Sequence, residues 1–126
     1  MDISVRIPVC NIIACENITN SNGKKMYICN PFTAAARANI KKFYTYTIIQ
    51  GIPNGLVIFK IMITDPFGNI VKETEESIVL AEENIIRVKT LWMNINFDNT
   101  GEYKFAVLIK CNKGFEITGT AYLNVM

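Results

Sequence analysis

Histidine is absent from the 126 residues of this sequence. Its absence removes the commonest general base, the commonest metal ligand and the usual pH-sensing side chain. The sequence also contains no G-x-S-x-G nucleophile elbow and no glycine-rich phosphate loop ahead of a helix. We therefore expect a protein that is not an enzyme and that holds no cofactor.

Long apolar runs and strong charge are missing as well. No run of 18 or more apolar residues occurs, and the first eight residues lack the basic and apolar segments of a signal peptide. The formal net charge is only +2, which gives little electrostatic attraction for nucleic acid or an anionic membrane. The sequence predicts a cytoplasmic protein with neither nucleic acid nor membrane as a partner.

Metal-binding patterns are absent too. The four cysteines are Cys10, Cys15, Cys29 and Cys111. They include no C-x-x-C pair and lie in apolar stretches, where a free cysteine behaves as a small hydrophobe. Buried free thiols are the favoured interpretation, and one or two disulfides are the alternative. The glutamates between Glu73 and Glu83 lack a calcium-loop pattern, so a solvated acidic hairpin is favoured over a metal site.

What is present is an apolar chain with strand periodicity. Half of the residues are apolar and 19% are charged, and the length suits one domain over residues 1–126. Alternation with period two and regular turn signals predict an antiparallel two-sheet β-sandwich of about eight strands. Residues 33–42 are the only helix-compatible stretch, so we expect at most one short helix.

The last third of the chain predicts the clearest hairpin, with strands over residues 103–111 and 115–125. The loop Asn112-Lys113-Gly114 has glycine third, which favours a type I turn plus a bulge. That loop pairs Cys111 with Phe115 and puts Phe115 and Ile117 on the core face.

Three other segments carry strand signals. Residues 57–64 turn at 65–68, where Asp65 can accept hydrogen bonds from turn amides and Ile63 falls opposite Val71. Asn22-Gly23 predicts a hairpin between residues 12–19 and 25–29. In residues 85–97 the alternation changes phase, which predicts a bulge or a strand that switches sheets.

The segment from Asn99 to Phe105 resembles the tyrosine corner before strand F of an immunoglobulin-type sandwich. The Tyr103 hydroxyl can bond upstream backbone while its ring enters the core. Phe105 stands where an immunoglobulin domain has cysteine, and Trp92 comes too late for strand C. The resemblance implies an immunoglobulin-like sandwich that is not a true immunoglobulin domain.

The order of motifs along the chain resembles a family of small bacterial single-domain β-sandwich proteins of unknown function. The motifs are Ala14-Cys15-Glu16, Asn22-Gly23-Lys24, Asn30-Pro31-Phe32, Asp65-Pro66-Phe67-Gly68 and residues 101–105. The resemblance brings no catalytic residues and implies a cytoplasmic, non-enzymatic module. Abundant isoleucine, asparagine and lysine are typical of an AT-rich bacterial or phage genome.

Two surfaces are candidate binding sites. The first is a set of outward-facing residues more apolar than solvent requires: Leu56, Ile58, Met62, Leu108 and Tyr122. It predicts self-association or a protein partner, unless residues 34–42 fold over it. The second is Lys42, Tyr44 and Tyr46, which could stack a sugar or nucleotide, although packing is the favoured interpretation. The sequence therefore predicts a non-enzymatic protein–protein interaction or structural module of a bacterium or phage; the alternative is a small-ligand-binding sandwich using an aromatic sheet face.

Overall fold

A computed structural model describes residues 8–21, 25–111 and 114–126. The strands are β1 (Val9–Ser21), β2 (Lys25–Pro31), β3 (Ala34–Ala35), β4 (Ala38–Gln50), β5 (Gly55–Thr64), β6 (Ile70–Glu73), β7 (Ser77–Ala81), β8 (Ile85–Phe97), β9 (Gly101–Cys111) and β10 (Gly114–Val125). None of the described residues is helical, and within them no helix could span a bilayer. The all-β prediction is confirmed.

Two sheets pack against each other around one apolar core. The four-stranded sheet has the order β2-β1-β4-β8. The six-stranded sheet runs β3-β10-β9-β5, and both β6 and β7 pair with the remaining edge of β5. Only the β3–β10 pair is parallel among the described strands. The largest fully buried side chains lie between the sheets and include Phe43, Phe59, Phe97, Tyr103 and Phe105.

The central strands follow the immunoglobulin order. The adjacent strands β1, β4 and β8 correspond to A, B and E, and β10, β9 and β5 correspond to G, F and C. The Tyr103 hydroxyl accepts a hydrogen bond from the Asn99 N–H at 3.0 Å, which confirms the tyrosine corner. Where an immunoglobulin domain has a B–F disulfide, Phe43 of β4 meets Phe105 of β9 edge to face at 6.2 Å between ring centroids. Trp92 of β8 packs against both rings.

The helix-compatible stretch, residues 33–42, is extended instead. It contains β3 and the first residues of β4. The Asn124 N–H donates to the Thr33 carbonyl at 2.9 Å, and the Met126 N–H donates to the Ala35 carbonyl at 3.0 Å. These long-range bonds outweigh the weak helix propensity of so short a segment. The segment lies along the edge of β10 and within β4, so it does not cover the predicted apolar patch.

The last hairpin forms with a different register at its loop end. Cys111 pairs with Gly114, and Phe115 pairs with Lys110; residues 112–113 of the predicted turn lie outside the described residues. A bulge between Ile117 and Gly119 absorbs the one-residue difference, so from Gly119 onwards the pairing is as predicted. Because the bulge reverses the alternation, Phe115 and Ile117 point away from the core, and their predicted core placement is wrong.

The predicted turn after β5 is confirmed. The Asp65 Oδ1 accepts hydrogen bonds from the N–H groups of Phe67 and Asn69, each at 2.9 Å. A register shift then places Lys72, and not Val71, opposite Ile63. The hairpin of β1 with β2 is also confirmed, from the Cys15–Pro31 pair to the Ser21–Lys25 pair; its turn at 22–24 lies outside the described residues.

The phase change in β8 has a backbone cause. Asn94 adopts a left-handed φ of 54°, a conformation that asparagine tolerates better than most residues. Beyond it, Ile95 and Phe97 return to the same core as Trp92. Leu91 and Met93 are exposed. The predicted irregularity is present, and β8 stays in one sheet.

Candidate functional site

The outer face of the six-stranded sheet is predominantly apolar over four neighbouring strands, β7, β5, β9 and β10. We call it the open face. Its side chains alternate with the core residues of those strands, and cross-strand pairs such as Ile58–Ile78 and Leu108–Ile117 fix its rows. Its apolar members are Leu56, Ile58, Met62, Ile78, Leu80, Ala106, Leu108, Phe115, Ile117 and Tyr122.

All five predicted interface residues lie on the open face, but they are not equally accessible. Leu56 is 75% exposed and Tyr122 is 55% exposed. Ile58 and Met62 are half-buried. Leu108 is only 8% exposed, because it sits in a row between Lys60 and Ile117. Leu108 therefore contributes to packing within the sheet more than to an accessible surface.

Three accessible members of the open face were missed from the sequence: Ile78, Leu80 and Ile117. Each is more than half exposed. The signal for Ile78 and Leu80 was present, because they flank Val79, which packs on the core with strand alternation. The signal for Ile117 was hidden by the bulge that follows it.

Charge on the open face is mixed and partly neutralised in place. The Lys60 Nζ lies 3.7 Å from the Glu73 Oε2 and 4.4 Å from the centroid of the Phe115 ring. The Lys60 stem thus covers apolar surface while its charge is paired. Strand β9 adds three charged residues to this face, Glu102, Lys104 and Lys110. The face has an apolar centre with charges of both signs along one strand.

The outer face of the four-stranded sheet differs, and we call it the covered face. β1 pairs with β4 only as far as Cys15, which also pairs with Pro31 of β2. Beyond that point, residues 16–21 and 25–30 form a hairpin arm, and within the described residues its strand pairs are all internal to the arm. Ile18 and Ile28 of the arm pack with Cys15 and Tyr46 in a second apolar cluster.

Two of the three residues predicted to bind a ligand, Tyr44 and Tyr46, pack with the arm, whereas Lys42 is exposed. Tyr46 is 7% exposed, so little of its ring is accessible for stacking, and its role in ligand binding stays a prediction. Tyr44 is half-buried. The Lys89 Nζ lies 4.9 Å and the Lys42 Nζ 5.6 Å from the Tyr44 ring centroid. A ligand would have to share that ring with both cations. Ligand binding by Lys42 and Tyr44 stays a prediction.

The thiols of the described part are free. Cys15 is buried, and Cys10 and Cys29 are half-buried; the side chain of Cys111 lies outside the described part. Burial raises the pKa of Cys10 to about 11. Burial, and secondarily the neighbouring Cys29, raises the pKa of Cys15. Both groups hold their protons at neutral pH, which makes them poor nucleophiles.

Two clefts flank Phe32 where the chain crosses between the sheets. One encloses about 270 Å³ between β1 and β10, and the other encloses about 500 Å³ beside β3 and β4. Both are lined mainly by apolar side chains. Across residues 8–21, 25–111 and 114–126, no three His, Cys, Asp or Glu side chains converge on a point that could hold a metal ion.

Comparison with known proteins adds a likeness in structure. No family model matches the sequence, and no curated protein matches it. Among solved structures, the chain is similar to an immunoglobulin-like protein from Pseudomonas aeruginosa, at 12% sequence identity and a TM-score of 0.39, over 90% of this chain and 91% of that one. By its own strand order and tyrosine corner, the chain is an immunoglobulin-like β-sandwich.

Proposed function

We propose that this chain is a non-enzymatic module that acts by protein–protein association, with the open face as its docking surface. One observation carries the proposal: Leu56, Ile78 and Ile117 are each more than half exposed on one continuous sheet face. Monomeric soluble proteins rarely expose a contiguous apolar patch larger than a few hundred Å². Burial of this face against a protein would remove that surface from water.

Two further features support the proposal. The protonated thiols of Cys10 and Cys15 and the lack of histidine leave few groups suited to acid–base or nucleophilic chemistry. The free thiols of the described part suit a reducing compartment, and we propose that the association takes place in the cytoplasm.

A pair of double variants tests the docking surface. Leu56→Lys with Ile78→Lys puts two charges on the open face, and Leu91→Lys with Met93→Lys puts two charges on exposed positions of β8. We expect the first variant to lose association, measured both by light scattering and by capture of proteins from the source cell extract. The second variant should associate as the original chain does.

The melting temperature of each variant checks that the fold is intact, since all four positions are exposed and surface substitutions usually change stability by about 0.5 kcal/mol or less. If the folded Leu56→Lys, Ile78→Lys variant keeps every association of the original chain, the open face is not the docking surface.

A further inference from the structure

We infer that a second copy of this chain covers the open face, packed sheet against sheet about a twofold axis that passes beside Ala106. This inference rests on the proposed docking surface and names its occupant. Ala106 lies in the middle of β9 and is fully buried.

The size and shape of the open face favour another sheet. Four strands spaced about 4.8 Å apart and nine residues of about 3.3 Å each give a flat area of roughly 500–600 Å². Side chains corrugate that area, so its accessible surface approaches the roughly 800 Å² that each partner contributes to a standard interface. A single added strand would cover about a quarter of the face, and a helix of about 10 Å diameter about half. A second sheet, packing at about 10 Å, covers all of it.

The charges along β9 favour a second copy of the same sheet. Its outward residues read Glu102, Lys104, Ala106, Leu108 and Lys110. A twofold axis that lies in the interface and crosses the strands lays each strand over its own copy in the opposite direction. With the axis at Ala106, Glu102 of one copy faces Lys110 of the other, and this contact occurs twice.

Two other positions of the axis are less favourable. An axis at Lys104 would place that lysine over its own copy, and an axis at residue 107 would place Lys104 over Lys110. Both arrangements oppose like charges, which disfavours association. With the axis at Ala106, opposite charges meet instead, because Glu102 of one copy lies over Lys110 of the other. Their long side chains can reach across a spacing of about 10 Å.

The same axis matches apolar residues on β10. Tyr122 pairs with Lys104, and Ile117 pairs with Leu108, in neighbouring rows of the sheet. The Ala106 axis exchanges these two rows, so Tyr122 of one copy lies over Ile117 of the other. Tyr122 is 55% and Ile117 is 54% exposed, and each would bury its exposed surface on the other.

Charge reversal tests the axis directly. Glu102→Lys alone, or Lys110→Glu alone, places like charges at both contacts, and we expect each to weaken dimerisation roughly tenfold or more. An equimolar mixture of the two single variants restores both contacts and should form the heterodimer in preference to either homodimer. Native mass spectrometry with one variant labelled with ¹⁵N counts the three species. The double variant, Glu102→Lys with Lys110→Glu, should dimerise again.

The control is Arg87→Glu, an exposed charge on β8 of the other sheet, which should leave dimerisation unchanged. A monomer at all concentrations overturns the second copy as occupant, while capture of another protein that Leu56→Lys with Ile78→Lys abolishes would still uphold the proposed function. A dimer that the lysine pair dissociates but single charge reversals leave intact overturns the Ala106 axis alone. A dimer that neither change affects overturns both proposals.

Discussion

The two outer faces of this sandwich are both apolar, yet among the described residues a hairpin arm covers part of one face and nothing covers the other. Over the four-stranded sheet, Ile18 and Ile28 of the hairpin arm bury Tyr46 and Cys15. Over the six-stranded sheet, Leu56 and Ile78 face solvent. The hairpin arm therefore shows that a sandwich of this fold can cover an apolar outer face. The exposure of apolar side chains on the open face is thus a property of this chain's sequence, and the fold does not require it.

The backbone explains why the arm can leave the sheet. The β1–β2 pairing skips Glu16 opposite Asn30 and resumes in the same register at Asn17. Asn30 adopts a left-handed φ of 53°, and its Nδ2 donates to the Glu16 Oε2 at 3.0 Å. This irregularity puts Ile18 on the same side as Cys15, where it reaches the covered face. On the other sheet, β6 and β7 both stay paired with β5, so they extend the open face.

The largest expected effect separates the two faces by stability. Tyr46→Ala removes a ring packed under the arm, and we expect it to lower the free energy of unfolding by about 3 kcal/mol. Leu56→Ala on the open face should change it by less than about 0.5 kcal/mol, because that side chain makes little buried contact in one copy. Urea unfolding measures both.

Protein concentration is the control for this pair. At concentrations where light scattering shows one copy, only Tyr46→Ala should lower the unfolding midpoint. Equal losses for both variants at that concentration would contradict the distinction between a covered and an open face.

Some features of the two faces depend on local sequence and could be predicted, whereas others depend on long-range strand pairing. The strand periods, the Asp65 turn and the tyrosine corner depend on neighbouring residues and could be predicted. The inward placement of Phe115 and Ile117 was wrong because the bulge at residues 117–119 is settled by the whole β9–β10 register. The cover over Tyr46 depends on left-handed Asn30, whose effect appears only once β1 pairs with two different strands.

The next effect tests how β4 is held from its inner side, beneath the covered face. Thr45 and Thr47 are both fully buried, but only the Thr45 Oγ1 has a partner, accepting from the Trp92 Nε1–H at 2.9 Å. The Thr47 hydroxyl has none within the described structure. Thr45→Val should cost about 1–3 kcal/mol by stranding the indole N–H, and Thr47→Val should gain about 1 kcal/mol by removing an unpaired buried hydroxyl.

The two valine variants are matched in shape and differ only in the hydrogen bond, so thermal unfolding compares them directly. A loss of the same size for both would mean that the Thr47 hydroxyl finds a partner in solution. Each variant should keep the association of the open face, because Thr45 and Thr47 lie on the inner side of the other sheet.

The smallest effect measures how often the arm leaves the covered face. Cys15 is fully buried under the arm. Cys10 lies on the opposite side of β1, between the two sheets, so close to Gly119 that a Cβ added to that glycine would lie 2.7 Å from the Cys10 Sγ. We expect Ile18→Ala to loosen the arm and speed alkylation of Cys15 about fivefold or more, a change worth about 1 kcal/mol of arm stability. Peptide mass spectrometry should show Cys10 unchanged in the same sample.

The pH dependence of these thiols has a definite sign. Burial raises the pKa of Cys10 from 9.0 to about 11, so the folded chain favours the protonated thiol. The contribution of Cys10 to the free energy of unfolding is therefore constant below pH 9. It is lost as the pH rises from 9 towards 11, because the Cys10 thiol ionises in the unfolded chain before it ionises in the folded chain. Alkylation of Cys10 in the folded chain should rise with a midpoint near 11. A midpoint near 9 would show that Cys10 reacts only after the sheets separate. Equal acceleration of Cys10 and Cys15 alkylation in the Ile18→Ala variant would mean that the arm does not open by itself.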